Sequence, residues 1–439
     1  RGLEIGGDVA SYPDAPIGAL KIHLRYAQGV KNVESVGYSD PYIRVLVNGN
    51  LKLKTAVHND TLNPIFNHVA YIGITNEHQH VLLQMMDDED EGKDRPLGSS
   101  AVHVADFLKR DSNGLYLPYE GGDKIIETPV LSDGVDHGTL YYSVTFYPTV
   151  PLYTQKQLKN WDQYVETEDK KAKEIQEFKE NELELAKKYP NDYQWVETNE
   201  VDVADPKKKK FTFEEASQYS GGVIVATISG GHFDRSDIYV HVLFDDQDQS
   251  SAVSQRIDGR KLESTFQGEG FVRDLPLSNI ILRVGTNIEM THKKELIAEK
   301  SYSTLDILGR SYDKPMSLKI NERNSVNIQL EYVPIAVELD PFDTVLDQGI
   351  VKLDIESAEN LKSVDLNGKS DPLCVIRIDG KEIFKSGKKR KSLDPVWNAS
   401  TEFPVSSRSR QDIKVEVYDW DLTHDDEMLG IGNLDLTGL

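Results

Sequence analysis

Carboxylates crowd two short segments near the C-terminus. One is Ser363-Val364-Asp365-Leu366-Asn367-Gly368-Lys369-Ser370-Asp371-Pro372, the other Tyr418-Asp419-Trp420-Asp421-Leu422-Thr423-His424-Asp425-Asp426-Glu427. Each follows an alternating run that reads as a β-strand, residues 351–355 and 413–417. Asp371 and Asp419 lie 48 residues apart, so they meet only if the two loops share one end of a sandwich. Carboxylates that converge are costly unless a cation neutralises them. Calcium takes six to eight oxygen ligands in flexible geometry, and Asp-rich loops supply such ligands. The plain reading is a pair of solvated turns, because Asp and Asn favour turns.

The elements that would position these residues recur along the chain. Gly18-Ala19-Leu20-Lys21-Ile22 corresponds to Gly349-Ile350-Val351-Lys352-Leu353, Ser39-Asp40-Pro41-Tyr42 to Ser370-Asp371-Pro372-Leu373, and Leu62-Asn63-Pro64-Ile65-Phe66-Asn67 to Leu393-Asp394-Pro395-Val396-Trp397-Asn398. The spacing from Asp40 to Pro64 is 24 residues, as it is from Asp371 to Pro395. A degraded copy stands between: residues 223–228 read as a first strand, and Ser236-Asp237-Ile238-Tyr239-Val240 echoes Ser39-Asp40-Pro41-Tyr42-Ile43. Residues 142–148 and 328–334 read as strands that close the first and second modules. The third module has no counterpart before Leu439, so the parent chain is expected to continue for at least one strand. The absence of an initiating Met before Arg1 likewise points to a fragment.

Between the first and second modules, Gln155 to Tyr189 reads as a helix halted by Pro190. Leu158, Trp161, Val165, Ile175, Phe178 and Leu185 fall at roughly helical spacing, but the stripe fails between Glu166 and Lys171. One packed end and a solvated middle are expected of a spacer that spans on the order of 50 Å. Abundant Glu argues against a lipid-surface helix.

Composition bounds the rest. The chain has 439 residues, a net charge of −23, 38% hydrophobic and 28% charged residues, in keeping with about three globular domains. That charge argues against nucleic acid and against standing attraction to an anionic membrane, although a bound cation reverses the sign locally. No apolar run reaches the ~20 residues of a membrane-spanning helix. The single cysteine, Cys374, sits in an apolar strand and reads as core, which suits a reducing compartment. No glycine-rich phosphate loop, nucleophile elbow or zinc-protease helix is present.

The loop and strand motifs resemble the C2 domain. The matching elements are Asp365, Ser370-Asp371-Pro372, Asp419-x-Asp421, Leu429-Gly430 and the Leu393 to Asn398 run. The resemblance implies an all-β chain of three antiparallel eight-stranded sandwiches, in the topology whose closing strand comes last, plus one long helical linker. It divides the chain into a C2 domain over 14–150 with partly altered calcium loops, a linker over 151–200, a degenerate C2 domain over 201–336, and a C2 domain over 343–439 with near-complete loops. In the third module it makes Asp365, Asp371, Asp419, Asp421 and Glu427 calcium ligands. Glu427 departs from the family's usual Asp, and Asp426 could take its role. It makes Leu366 and Leu422 tips that enter lipid, each contributing about 2 kcal/mol. It gives the basic cluster Lys385, Lys388, Lys389, Arg390 and Lys391 a phosphoinositide-binding role, the alternative being a solvated turn.

Glu34, Asp40, Asp87 and Glu89 stand at the corresponding positions of the first module, where weaker calcium binding is expected. Arg95 falls opposite Glu427 and removes a ligand. A slide of one residue would bring Asp88 and Asp90 into place instead. The second module has lost the Asp pair and is expected to bind no calcium.

The arrangement as a whole resembles the tricalbins, fungal relatives of the extended synaptotagmins. That implies a calcium-dependent phospholipid-binding array on the cytoplasmic face of membranes at contacts between endoplasmic reticulum and plasma membrane. It implies a non-enzymatic tether within a lipid-transfer protein, with anionic phospholipid as partner, no nucleic acid, and room for homo- or hetero-oligomers through the parent protein. The alternatives are the regulatory C2 region of a lipid enzyme or kinase, and a protein-scaffolding C2 array.

Overall fold

Buried and more accessible side chains alternate along the strands. In β1 (Gly18–Gln28) Leu20, Ile22 and Leu24 are fully buried, while Lys21, His23 and Arg25 reach the other face. The computed structural model describes residues 16–89, 92–153, 155–193, 210–245, 247–289, 293–344, 347–363, 369–422 and 424–439. The first module continues with β2 (Pro41–Val47), β3 (Asn50–Lys54), β4 (Ile65–Ile74), β5 (His80–Asp87), β6 (Arg95–His103), β7 (Tyr119–Ser132) and β8 (Val135–Pro148). Their order is β3-β2-β5-β6-β7-β8-β1-β4. The last strand therefore lies beside the first, as the sequence implies.

The second module has β9 (Gly222–His232), β10 (Tyr239–Phe244), β11 (Ala252–Val253), β12 (Lys261–Leu262), β13 (Phe266–Val272), β14 (Asn279–Gly285), β15 (Leu296–Ser303), β16 (Met316–Lys319) and β17 (Ser325–Pro334). β12 and β13 both pair with β9 and act as one interrupted strand, and β17 closes on β9. The third has β18 (Gly349–Ser357), β19 (Pro372–Ile378), β20 (Lys381–Lys385), β21 (Val396–Val405), β22 (Ile413–Asp419) and β23 (Glu427–Asn433). It has six strands among the described residues rather than eight, in sheets β18-β21 and β20-β19-β22-β23. Cys374 is buried in its core beside Ile376 and Trp397.

The helix is interrupted. A short α1 (Gln155–Lys159) precedes α2 (Trp161–Lys188), which ends two residues before Pro190. At 1.5 Å per residue α2 spans roughly 42 Å. Trp161 is buried against Tyr153, Tyr164 and Leu115, whereas Phe178 is 65% exposed. One end is anchored to the first module by aromatic packing, and the remainder is solvated. No described helix is long and apolar enough to cross a membrane.

The first two modules meet about a local two-fold axis. Gly18 pairs with Ile74 and Pro148, as Gly222 pairs with Val272 and Pro334, so Pro148 corresponds to Pro334. The Val150 N–H donates to the Pro334 carbonyl at 2.8 Å, and the Ala336 N–H to the Pro148 carbonyl at 3.2 Å. Each bond is the other's symmetry mate, as in an isologous interface. Tyr71 stacks on Phe271 with ring centroids 4.9 Å apart, worth about 1 kcal/mol beyond area burial. Gly73 allows this approach, since a Cβ there would lie 3.0 Å from Val223.

The third module is tied to the first through the segment after β17. Asp343, 3% exposed, accepts from Lys21 Nζ at 2.8 Å and pairs with Arg410. Arg410 also donates to the Phe342 carbonyl at 3.2 Å, and its own carbonyl accepts from Asn67 Nδ2 at 3.0 Å. Asp347, 1% exposed, accepts from Ser407 Oγ at 2.8 Å and Ser409 Oγ at 2.6 Å.

Candidate metal centre

The sheet registers bring the acidic loops to one end of the first and third modules. In the third, Pro372 pairs with Asp419 and Asp419 with Glu427. Asp419 is 5% exposed, and its Oδ1 accepts from the Asp371 N–H at 2.6 Å. Asp371 Oδ1 accepts from the Lys391 N–H at 2.7 Å. Asp426 Oδ1 accepts from the Asp421 N–H at 3.2 Å, and Lys385 Nζ lies 3.3 Å from its Oδ2. Asp426 thus braces the loop, while Glu427 begins β23 opposite Asp419. Asp365 and Leu366 lie outside the described residues. Leu422, at the tip of the other loop, is 79% exposed.

The basic cluster stands at this same end. Lys388, Lys389, Arg390 and Lys391 occupy the connection from β20 to β21, and the Lys388 ammonium lies over the Trp420 ring. The sequence placed these cations in a cluster but gave no sign that they border the carboxylates. Trp420 would have been the clue, since an aromatic between two Asp can stack a neighbouring cation.

The first module repeats the arrangement bond for bond. Pro41 pairs with Asp87 and Asp87 with Arg95. The Asp40 N–H donates to Asp87 Oδ1 at 2.6 Å, the Asp60 N–H to Asp40 Oδ1 at 2.5 Å, and the Glu89 N–H to Asp94 Oδ1 at 3.2 Å. These match the bonds of Asp371, Lys391 and Asp421. The register therefore places Asp87 and Glu89 at the positions of Asp419 and Asp421. It excludes the one-residue slide that would have put Asp88 at the position of Asp419; Asp90 lies outside the described residues. One oxygen each of Glu34, Asp87 and Glu89 lies within 4.8 Å of the others. Arg95 stands among them: its Nη2 is 2.8 Å from Asp87 Oδ2 and pairs with Glu34 and Glu89 as well.

The second module carries no carboxylate at either position. Tyr239 pairs with Gly285 as Tyr42 pairs with Met86, so Thr286 and Ile288 stand where the first module has Asp87 and Glu89. The adjacent Glu289 turns to the first module, 2.7 Å from Arg44 Nη2 and 3.3 Å from Lys54 Nζ. The loop is held from within by His241, whose Nε2 is 3.0 Å from the Asn287 carbonyl and whose Nδ1 is 2.8 Å from Ser250 Oγ.

Burial pushes the His241 pKa down to about 4. An unfolded histidine titrates near 6.5, so the unfolded state binds more protons between these values and stability falls as pH drops through the interval. On the order of 3 kcal/mol is lost by pH 4. Thermal melts between pH 7 and 4 should show this loss, and His241→Gln should flatten it. An unchanged slope in the variant assigns the acid sensitivity elsewhere.

A family model described as the C2 domain matches residues 18–118 and 349–439, and one described as the Tricalbin-1-like C2 domain matches residues 216–338. The chain belongs to the C2-domain family. As a C2 array, this stretch is a set of binding modules and not an enzyme. Tricalbin-1 of Saccharomyces cerevisiae is 31% identical over 99% of this chain and 37% of its own length. Tricalbin-3 of the same yeast is 31% identical over 97% of this chain and 28% of its own. The array thus resembles that of the tricalbins and spans about a third of the length of these relatives. A solved structure of two calcium-bound C2 domains of extended synaptotagmin 2 aligns with 74% of this chain and 100% of its own, at 15% identity and a TM-score of 0.34.

Proposed function

We propose that this chain is a calcium-responsive phospholipid-binding C2 array whose third module docks on anionic membrane. The carrying observation is the register that sets Glu427 opposite Asp419 with Asp371 bonded beside them, at a position where the first module has an arginine. The donor set is all oxygen, as calcium requires. A calcium ion held there supplies positive charge and coordination positions that lipid phosphate oxygens can complete. Asp371, Asp419, Asp421 and Glu427 would hold it, joined in the proposal by Asp365. Leu422 then enters the interface, contributing about 2 kcal/mol. Similarity to the tricalbins supports the wider reading, a tether between endoplasmic reticulum and plasma membrane within a lipid-transfer protein.

Co-sedimentation of the whole chain with phosphatidylserine vesicles, in calcium and in chelator, tests the proposal. Binding that rises with calcium is expected; equal binding in both overturns it. The basic cluster supplies what binding remains in chelator. Each charge near an anionic leaflet is worth about 1 kcal/mol, so Lys389→Gln with Arg390→Gln should cut that remainder by roughly tenfold or more. Raised salt should erase it by screening. A remainder indifferent to both changes removes the cluster from the lipid-binding surface.

A further inference from the structure

Arg95 does more in the first module than delete a ligand. Its Nη2 pairs with all three carboxylates, Glu34, Asp87 and Glu89, and its Nη1 donates to the Val33 carbonyl at 2.9 Å. The Asp87 side chain is fully buried. Such a carboxylate needs a positive neighbour to stay ionised, and a guanidinium's planar fork suits several carboxylate oxygens at once. Both loops of the module are joined through this one side chain, since Glu34 and Val33 lie in the first and Glu89 in the other. The loops nevertheless keep the hydrogen bonds seen in the third module, where Glu427 replaces the arginine.

We propose that Arg95 is the built-in cation of the first module. It takes the place a calcium ion would occupy, holds the two loops together without an ion, and leaves this module blind to calcium. The expectation that Glu34, Asp40, Asp87 and Glu89 bind calcium weakly is replaced by this one. The substitution also changes what the loop end can do. Calcium has coordination positions to share with a phosphate oxygen. Nη1 and Nη2 of Arg95 are already turned inward on the Val33 carbonyl and on Glu34, Asp87 and Glu89, and its Nε is buried out of reach of a lipid phosphate. Three carboxylates around one guanidinium remain net negative, with Asp40, Asp88 and Asp94 close by, so the end stays repelled by an anionic bilayer. The first module then serves as a fixed platform, through Tyr71 and Lys21, for its two neighbours.

Terbium luminescence, with calcium as competitor, tests this on the whole chain carrying Asp419→Asn and Asp421→Asn, which removes the contribution of the third module. That background should show no saturable, calcium-displaceable emission. Adding Arg95→Asp should create one such site, and adding Asp87→Asn should remove it again. A displaceable site already present in the background and lost with Asp87→Asn overturns the proposal, as does a folded Arg95→Asp chain that gains none. Where circular dichroism shows that Arg95→Asp does not fold, Arg95→Ser is read in its place with the same two outcomes. The unmutated chain is titrated in parallel. If it binds no terbium, the calcium reading of the third module fails while the Arg95 arm still decides this one.

Discussion

Asp419→Asn together with Asp421→Asn should nearly abolish calcium-dependent binding of the chain to acidic vesicles, and Asp421→Asn alone should weaken it. The amide keeps the shape of the carboxylate and removes its charge. An amide at position 419 can still accept the Asp371 N–H through its carbonyl oxygen, so this 2.6 Å bond keeps a partner in the variant. What disappears is the negative charge that attracts a divalent ion, and affinity in all-oxygen calcium sites follows the count of charged ligands. Losing two of them should lower calcium affinity on the order of a hundredfold or more. The same change should not destabilise the protein in chelator, because it relieves repulsion among Asp371, Asp419, Asp421 and Glu427. Melting temperature in chelator therefore separates a lost ligand from a lost fold. In calcium the wild type should gain melting temperature by mass action and the double variant should not. A double variant that sediments with acidic vesicles in calcium as well as wild type removes the switch from the third module.

Part of this was legible in the sequence because one repeat could be laid on another. The Ser-Asp-Pro runs at Ser39 and Ser370, with equal spacing to Pro64 and Pro395, predicted equivalent first loops, and the structure gives both the same bond to the Asp opposite. Strand alternation set Asp87 against Asp419, since a period of two leaves little freedom in a strand buried on one face, but it left a one-residue slide to Asp88 open, which the strand register closes. The role of Arg95 was not legible. Position showed a cation replacing an acid, but only side-chain reach shows that one guanidinium meets three carboxylates on two loops. Nor was the seat of Glu289 on Arg44 and Lys54, or the joining of modules through Asp343. Contacts between modules leave no periodic trace: Lys21 and Asp343 are 322 residues apart, and Asp343 lies in no segment that the repeat aligns. The helix was misread at Asn160, where a local break follows a short first turn that spacing alone joined to the rest.

Asp343→Ala should release the third module from the first. The side chain has almost no exposure and joins Lys21 of β1 to Arg410 of the turn between β21 and β22. Burial alone would push its carboxyl up, but the hydrogen bond and charge of Lys21 and the charge of Arg410 outweigh that and hold it below its usual value. The unfolded carboxyl titrates near ~3.9. The stabilisation is therefore present above that value and is lost as pH falls through the lowered one. Removing the carboxylate leaves two cations, each 17% exposed, facing each other without a counter-charge. Breaking a buried ion pair from one side costs about 3 to 5 kcal/mol, more than the neighbouring Asn67 bond to the Arg410 carbonyl can offset at about 1 kcal/mol. The expected result is a larger radius of gyration by solution scattering and faster proteolysis between residues 336 and 348. Adding Lys21→Met should recover part of the loss, since it withdraws one of the two unpaired charges, and that partial rescue distinguishes a broken ion pair from a misfolded segment. Scattering and proteolysis unchanged in Asp343→Ala would mean that uncharged contacts such as the Asn67 bond to the Arg410 carbonyl hold the third module on the first without the charged clasp.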